Sequence, residues 1–487
     1  MLVPIAVAVP AVAAALIVVS GDRPRLHAMW TALAAAATFA LVASMFGSVL
    51  DGDEPAFTIG SLAPDLELAL RVDAAGMVFA ASASALWILA SSFSFGYVRG
   101  AREQHRTRFF ATFAVCVSAT IGLAFAANLF TFFVFYELLT LATYPLVVHK
   151  QTPEALAAGR RYLFTLLGGG TAVLLAVAVV HIAVPGAEFT PGGVLDGAVS
   201  DAGVVALVVL AVLGFGTKAA IMPFHQWLPA AMVAPTPVSA LLHAVAVVKA
   251  GVFGFARMFG YVIGPERLAD VGAGAVVASV AAVTIVVASV VAFRQDQLKR
   301  RLAYSTIAHL SYIVLGLSLL SASAWNGAML HLANHAVLKI TLFFCAGAIY
   351  VTTGVDRVSQ MDGIGRRMPV TMAAFGIAAL GLAGVPPVSG FVSKWFLGLG
   401  ALDAGEPLLA AVVIGSGLLT AGYLLPIVFR AFFRSSPDFP VRAEASPLMV
   451  VPIATTAAVG LALGLGDVVS LGELTAAVGA AVTGGRV

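Results

Sequence analysis

Charged residues are scarce in this chain of 487 residues. Only 10% of them are Asp, Glu, Lys or Arg, whereas soluble domains carry about 25%, and the mean hydropathy is +1.00. A globular core does not account for so little charge, so we predict a polytopic all-α membrane protein. The net charge of +3 says little, because in such a protein the distribution of charge between the two sides is what matters.

Cysteine and the motifs of cofactor sites are also nearly absent. Cys116 and Cys345 lie far apart in apolar stretches without CxxC spacing, so we interpret them as small buried side chains. No haem or iron–sulfur spacing, Walker A motif or GxGxxG occurs. The run Gly168-Gly169-Gly170 lies in a helical stretch, where it favours close helix packing. We therefore predict no catalytic chemistry, no cofactor and no bound metal for this chain alone.

Long hydrophobic runs make up most of the sequence. A transmembrane helix needs about 20 apolar residues, and we count fourteen such stretches. They lie near residues 2–20, 27–48, 73–98, 108–127, 129–149, 162–184, 202–222, 237–260, 268–292, 303–320, 325–352, 369–401, 406–433 and 447–468. No long linker or charge block separates them, so residues 1–487 are predicted to form a single integral membrane domain.

Basic residues divide sharply between the two ends of these helices. The other side of the membrane and the termini hold only Arg71, Arg267 and Arg486. The loops after the odd-numbered helices hold Arg23, Arg25, Arg99, Arg102, Arg106, Arg108, Lys150, Arg160, Arg161, Arg294, Lys299, Arg300, Arg301, Arg357, Arg366, Arg367, Arg430, Arg434 and Arg442. Positive loops face the cytoplasm, so we predict fourteen spans with both termini outside. With neither a basic signal-peptide region nor a transit peptide, a bacterial inner membrane is the expected location.

Two of the spans are interrupted by glycine and proline, at residues 214–237 and 384–394. Proline removes a helical hydrogen bond, and non-helical backbone survives at membrane depth only where protein or a wet cavity satisfies it. The breaks lie beside Lys218 and Lys394. They occupy equivalent places if helices 4–8 and 9–13 form two inverted five-helix repeats. We predict peripheral N-terminal helices at 1–107, a first repeat at 108–260, a second at 268–433 and a last helix at 447–468.

Five charged side chains lie inside these apolar stretches: Glu137, Lys218, Lys249, Lys339 and Lys394. A charge at the bilayer centre costs at least about 2.5–3.5 kcal/mol, and such residues usually line an ion path or face one another. Lysine suits a proton relay because its affinity for a proton responds readily to its surroundings. Glu137 is interpreted as the switchable partner of Lys218. The alternative is a purely structural ion pair.

Histidine adds titratable groups to the same helices. His331, His335 and Lys339 follow one another at intervals of four residues, which places them along one helix face. We favour a proton relay over a metal site, which usually needs three or four protein ligands, and over histidines satisfied within a core. His243 lies six residues before Lys249, roughly 120° away on a regular helix. Arg257 is expected to snorkel at its helix end.

Several long motifs resemble the antiporter-like subunits of respiratory complex I and of Mrp-type cation/proton antiporters. They are Lys218-Ala-Ala-Ile-Met-Pro-Phe-His-Gln-Trp-Leu-Pro, Asp296-Gln-Leu-Lys-Arg-Arg-Leu-Ala-Tyr-Ser-Thr-Ile-Ala-His, the His331 to Lys339 stretch and Gly384-Val-Pro-Pro-Val-Ser-Gly-Phe-Val-Ser-Lys. The resemblance covers most of residues 75–430. It implies half-channels joined by a central polar axis, with Glu137 and Lys218 paired and Lys249 as a bridge. It also implies a second relay at His331, His335 and Lys339 and an exchanging group at Lys394.

Among these relatives, the D-type member of Mrp complexes fits best. The largest complex I relative and the A-type member of Mrp complexes carry a long C-terminal extension, and the M-type relatives in complex I typically have Glu where Lys394 stands. We therefore expect a proton-translocating D subunit of an Mrp-type Na⁺/H⁺ antiporter, working with other integral membrane subunits. The alternatives are a proton-pumping member of complex I, of a related hydrogenase or of an inorganic-carbon uptake complex. A self-sufficient solute transporter is the least favoured interpretation.

Overall fold

The computed structural model describes residues 1–437, 439, 441–466 and 470–485. We label the long helices in chain order. They are α1 (Leu2–Val19), α2 (Pro24–Leu50), α3 (Ala74–Gly100), α4 (Arg106–Ala124), α5 (Leu129–Val147), α6 (Pro153–Ala183), α7 (Asp201–Lys218), α8 (Thr236–Ile263), α9 (Ala273–Phe293), α10 (Leu298–Ser318), α11 (Ala322–Thr353), α12 (Pro369–Ala383), α13 (Ser389–Asp403), α14 (Pro407–Phe433), α15 (Pro447–Leu465) and α16 (Leu471–Thr483). Two antiparallel strands, β1 (Ala56–Ala63) and β2 (Leu66–Arg71), form a hairpin between α2 and α3.

Twelve helices in the described part of the chain are long and apolar enough to span a membrane. The others that match predicted spans are α10, which begins with a basic turn, and the paired short helices α12 and α13 of 15 residues each. A polytopic all-α membrane fold is thus confirmed, while the total of fourteen spans and the inverted repeats stay predictions. Helix α16 was not predicted, and residues 467–468 of the predicted last span lie outside the described residues.

The arginine-rich loops meet at one end of the helices, which we call the basic face. It comprises residues 20–24, 100–106, 148–153, 231–236, 293–298, 354–368 and 433–437. Hydrogen bonds join these segments to one another, as from Arg108 to the His149 carbonyl at 2.9 Å and from Leu298 to the Asp356 carbonyl at 2.9 Å. At the opposite face the hairpin is tied to the loop before α7, where Arg71 contacts Glu188 at 3.2 Å. The helices that join the two faces therefore alternate in direction, and α12 and α13 together make one such crossing.

Both predicted breaks are present. Helix α7 ends at Lys218, and irregular backbone with Ala220 at a φ of +57° leads through short helical turns to the start of α8. Helix α12 ends at Ala383, and Gly384 at a φ of +87° starts the turn into α13. Proline and glycine in these segments cannot continue a helical hydrogen-bond ladder, so each break leaves backbone carbonyls free to accept other donors.

Helices α8 and α11 form the centre of the molecule. Every residue of α8 is buried, as is every residue of α11 from Ala324 to Ile349. Helix α11 packs against α3, α8, α10, α12, α13, α15 and α16. Polar side chains on these two helices consequently face other helices of the same chain, and lipid does not reach them. This arrangement positions the candidate site.

Candidate functional site

The buried polar groups of the second half form two hydrogen-bonded groups across α8, α10, α11 and α13, and a contact between histidine rings joins the two groups. Lys249 Nζ lies 3.0 Å from His335 Nδ1, and His309 Nδ1 lies 3.1 Å from His331 Nε2. The rings of His309 and His335 are 5.4 Å apart between centroids. His331 Nδ1 lies 2.8 Å from the Ser393 hydroxyl oxygen, in the residue before Lys394. The spacing of His331 and His335 on one face of α11 thus creates a continuous file of titratable groups.

These hydrogen bonds restrict how many protons the file can hold. An ammonium and an imidazolium are both donors only, so the Lys249–His335 bond needs one partner with a free lone pair. The His309–His331 bond requires the same of one imidazole. In each pair, therefore, only one of the two hydrogen-bonded nitrogens can carry a proton in the bond at a time. A hydrogen bond between two basic nitrogens is also the geometry in which a proton can pass from one to the other.

Lys394 occupies the second break. Its ammonium donates to the Ala383 carbonyl at 3.4 Å and lies 4.9 Å from the centre of the Tyr312 ring. That carbonyl is available because α12 ends there and the chain turns at Gly384. A Cβ atom on Gly417 of α14 would lie 3.5 Å from Lys394 Nζ. The broken helix thus provides a hydrogen-bond acceptor for the Lys394 ammonium beside α10 and α14.

Lys339 and His243 lie nearer the basic face. Lys339 Nζ donates to the Leu302 carbonyl at 3.2 Å, and His243 stacks on Phe343 with 4.6 Å between ring centroids. The turn around His243 is widened over Leu241–Val245, and the backbone is distorted at Ala246. His243 and Lys249 both contact α11, and the helix between them is not the regular one assumed for the expected angle of roughly 120°. Widened turns of this kind often accompany functional sites.

Lys218 terminates α7 and points towards α5. Its ammonium donates to the Tyr136 carbonyl at 2.6 Å and lies 3.3 Å from the centre of the Tyr136 ring. Glu137 follows in the chain, and the two charges interact electrostatically. Within the described residues they form no direct ion pair, and neither carboxylate oxygen of Glu137 has a hydrogen-bond partner. Glu137 and Lys218 therefore interact without a direct hydrogen bond, because the Lys218 ammonium is bound to the carbonyl of Tyr136, the residue before Glu137.

Two of the three consecutive glycines of α6 shape this first cluster. A Cβ on Gly170 would collide with the Glu137 carboxylate, and one on Gly169 would lie 2.9 Å from Thr217 Cβ. Gly168 faces open space. Close packing of α6 against its neighbours was expected from the sequence, and the structure shows it at Gly169 and Gly170. Gly170 in addition leaves the room that the Glu137 carboxylate occupies.

A cavity of about 150 Å³ opens at the basic face beside the start of α8. Its lining includes Tyr97, Lys150, Thr236, Lys299 and Asp356. Nearby, outside the helices, burial and the Arg108 charge lower the pKa of His149 to about 4. His149 Nε2 lies 3.7 Å from Glu103, and with so low a pKa this contact is not an ion pair near neutral pH. The cavity connects Thr236, the first residue of α8, to the surface at the basic face.

Arg257 does not snorkel, and that prediction was wrong. Its side chain is 1% exposed and its guanidinium makes two hydrogen bonds to Asp73, the residue capping α3. The rings of Phe189, Phe253 and Tyr261 surround it at 4.7–5.0 Å. A bidentate pair of this kind satisfies both charges, and it binds α8 to α3 near the opposite face. The counter-ion is 184 residues away in sequence, so helix-end position alone could not reveal it.

Sequence reasoning missed three residues of the site: His309, Tyr312 and Ser393. All three are buried. His309 and Tyr312 lie on the face of α10 that meets α11, and Ser393 precedes Lys394. A signal for His309 was present, because it ends the Asp296–His309 motif. Among the described residues, no group of three His, Cys, Asp or Glu side chains is arranged to hold a metal ion.

Comparison with known proteins places this geometry in context. Residues 126–420 match the protein family described as NADH:quinone oxidoreductase/Mrp antiporter, transmembrane. The chain is 36% identical over 351 residues to NADH-quinone oxidoreductase subunit N of Desulforudis audaxviator, an alignment covering 72% of this chain and 69% of that relative. It is 32% identical over 399 residues to the A/B component of a probable K⁺/H⁺ antiporter of Rhizobium meliloti, covering 78% of this chain and 38% of the relative.

A solved structure shows the same fold. One polypeptide of the Mrp complex from Dietzia sp. DQ12-45-1b superposes with a TM-score of 0.88 at 23% sequence identity. The superposition covers 98% of this chain and 96% of that one. The likeness extends beyond the matched family region to the N-terminal helices and to the C-terminal helices α15 and α16.

Proposed function

The chain belongs to the NADH:quinone oxidoreductase/Mrp antiporter family of membrane proteins, and we propose that it translocates protons as the D-type member of an Mrp-type antiporter complex. The complex exchanges protons for Na⁺ or another monovalent cation. Eight titratable side chains carry the protons through the chain, and no bond of a substrate is made or broken. These side chains are Glu137, Lys218, His243, Lys249, His331, His335, Lys339 and Lys394.

The observation that supports this function most is the file of buried groups from Lys249 through the three histidines to Ser393, beside Lys394, in which hydrogen bonds and one contact between histidine rings join neighbours. Its members are fully buried apart from Lys394, which is 8% exposed. Ion pairs do not explain them, because no carboxylate contacts any of them within the described residues. Buried basic groups without counter-ions are costly, so a purely structural role would favour apolar side chains at these positions.

Assembly with other membrane subunits is part of the proposal. Large apolar side chains are exposed along α1, α6, α9 and α14, among them Val12, Phe164, Val283 and Leu418 at 56–77% exposure. Lipid or neighbouring helices cover such surfaces. We place the complex in a bacterial inner membrane with the basic face towards the cytoplasm, as the bias of basic residues favours. The chain alone is then expected not to complete cation/proton exchange.

A second candidate is a proton-pumping member of a quinone oxidoreductase of the complex I type. The specific observation that favours it is the 36% identity to a subunit N. Neighbouring genes separate the two: small membrane subunits accompany an antiporter, whereas flavin and iron–sulfur subunits accompany a redox enzyme. A sodium pulse that collapses a pH gradient in vesicles of the native complex, without quinone or reductant, supports the antiporter.

The test of the proton path uses Glu137→Ala and Lys218→Ala in the assembled complex. Each variant is expected to lower the exchange rate in inverted vesicles at least tenfold, because it removes a buried group that holds a proton. Glu154→Ala and Arg160→Ala, at exposed positions of α6, serve as controls of matched charge and should keep the parental rate. Glu137→Asp keeps the carboxylate with a shorter reach and should retain part of the activity. Parental rates in both alanine variants would refute the path.

A further inference from the structure

Two tyrosines and their partners form a row of buried hydroxyl groups between α10 and α14. The Tyr312 hydroxyl donates to Ser416 Oγ at 2.5 Å, and the Tyr423 hydroxyl donates to Ser305 Oγ at 2.8 Å. Between these pairs, Thr420 Oγ1 lies 3.2 Å from the Tyr423 hydroxyl oxygen and close enough to interact with the Tyr312 hydroxyl. All five residues are at most 2% exposed. We call this set the hydroxyl row.

The pairing is reciprocal between two antiparallel helices. Tyr312 of α10 reaches Ser416 of α14, and Tyr423 of α14 reaches back to Ser305 of α10. On each helix the serine and the tyrosine are seven residues apart, which is two helical turns and about 10.5 Å along the axis. The row therefore covers about a third of the roughly 30 Å hydrocarbon thickness of a bilayer, with Thr420 at its middle.

One end of the hydroxyl row lies beside the Lys394 ammonium. The Lys394 ammonium faces the Tyr312 ring at 4.9 Å and approaches α14 at Gly417, the neighbour of Ser416. The rings of His309 and His331 lie 5.1 Å and 5.5 Å from the same tyrosine ring.

The other end approaches the basic face. Arg301 lies one turn before Ser305 on α10, and its guanidinium donates to the Tyr423 carbonyl at 3.0 Å. The same guanidinium donates to the Gln295 carbonyl at 2.8 Å, in the loop before α10. Arg301 is half-buried. From Ser305 to Leu298, the first residue of α10, about 10.5 Å of helix remains, at 1.5 Å per residue.

From this geometry we infer that the hydroxyl row carries protons between Lys394 and the basic face. The inference rests on the proposed function and adds to it the side from which Lys394 is reached. A hydroxyl group is both a donor and an acceptor, so each member can take a proton on its oxygen and release its own to the next. One proton leaves the row for each that enters, and reorientation of the hydroxyls restores the starting arrangement.

A row of hydroxyls could also serve only to hold α10 and α14 together. Serine and threonine in membrane helices often bond to the carbonyl four residues earlier, as Ser416 and Thr420 do to Val412 and Ser416. A single hydrogen bond between membrane helices contributes little to stability on average. A purely structural row should therefore tolerate the loss of one hydroxyl with little change in rate, whereas a conducting row should not.

The experiment compares near-isosteric substitutions in the native complex. Tyr423→Phe and Thr420→Val each remove one hydroxyl and keep the volume, and both are expected to lower proton-driven exchange at least tenfold with assembly unchanged. Thr420→Ser keeps the hydroxyl and should retain more than half of the rate. The control is Thr456→Val in α15, which removes a buried hydroxyl that bonds within its own helix and should leave the rate unchanged.

The side of access is tested by setting the pH separately on the two faces of oriented vesicles. The rate of the parental complex should respond to pH at the basic face, and Tyr423→Phe should flatten that response. A flattened response at the opposite face instead would overturn the inference. Parental exchange rates in both Tyr423→Phe and Thr420→Val would also overturn it. The same holds if Thr420→Val and Thr420→Ser lose exchange equally and the complex no longer assembles in either variant. A parental complex that moves no protons would refute the proposed function itself, which these variants do not address.

Discussion

The three consecutive glycines of α6 offer a sharp test of the role of Glu137. A Cβ atom on Gly170 would lie 2.6 Å from Glu137 Cδ, whereas ordinary contact begins at 3.4 Å. In Gly170→Ala the carboxyl group must therefore move by about 0.8 Å or more. The group that moves is the end of a flexible side chain, so the helix keeps its place. We expect a complex that assembles normally but has a displaced Glu137.

The expected loss of transport follows from that displacement. Misplacing a reacting group by 1 Å can cost about 10²-fold in rate, so Gly170→Ala should lower exchange by roughly ten- to a hundredfold. Stability should change little, because replacing glycine by alanine within a helix contributes about 0.5–1 kcal/mol in favour of the helix, which offsets part of the crowding. The combination of normal stability with impaired transport is what separates this effect from unfolding.

The neighbouring glycines supply the controls. Gly168 faces open space, so Gly168→Ala should transport normally and be equally or more stable. Gly169→Ala would place its Cβ 3.2 Å from the Gly214 carbonyl, and overpacking of this kind costs about 1–3 kcal/mol, so it should lower thermal stability. The assay measures exchange in inverted vesicles and the melting temperature of the purified complex. Parental exchange in Gly170→Ala would show that the position of the Glu137 carboxylate does not matter.

Three further predictions concern other parts of the molecule. Lys394→Met keeps the packing without a proton-binding group and should lose nearly all exchange, while Lys394→Glu keeps a titratable group and should retain some; the reverse order would make the lysine structural. Arg257→Ala strands the buried Asp73 and should destabilise the chain by about 3–5 kcal/mol in thermal unfolding, against about 0–1 kcal/mol for Arg267→Ala at a more exposed pair. Burial and Arg108 lower the pKa of His149 from 6.5 to about 4, so the unfolded chain binds this proton more tightly. Stability present above pH 6.5 should then fall as the pH drops towards 4, and His149→Gln should show a smaller fall in melting temperature.

Features that depend on neighbouring residues in the chain were predictable from the sequence. The apolar runs place the helices close to their observed bounds, because about 20 apolar residues suffice to cross the bilayer. The breaks after Lys218 and before Lys394 follow from proline and glycine, which interrupt the helical hydrogen-bond ladder. The common helix face of His331 and His335 follows from their spacing of four residues. Each of these depends only on local geometry.

Contacts between distant helices could not be predicted in this way. The hydrogen bond of Lys249 to His335 joins residues 86 apart in sequence, and its existence depends on how α8 packs against α11. The same holds for Asp73 and Arg257. The six-residue spacing of His243 and Lys249 predicted directions roughly 120° apart, because a regular helix was assumed where the chain forms a widened turn. The position of Lys218 on the Tyr136 carbonyl likewise depends on where α7 ends relative to α5.

The balance of buried charge bears on how the file would conduct protons under the proposed function. Glu137 is the one acid among the five charged residues singled out within the apolar stretches, and the other four are lysines. Two unit charges 4 Å apart interact by about 4 kcal/mol at an effective dielectric constant of 20, so adding a proton to one site disfavours protons on its neighbours. The file is therefore only partly protonated at any moment. Under the proposed function, a proton would then move only into a site that can accept one.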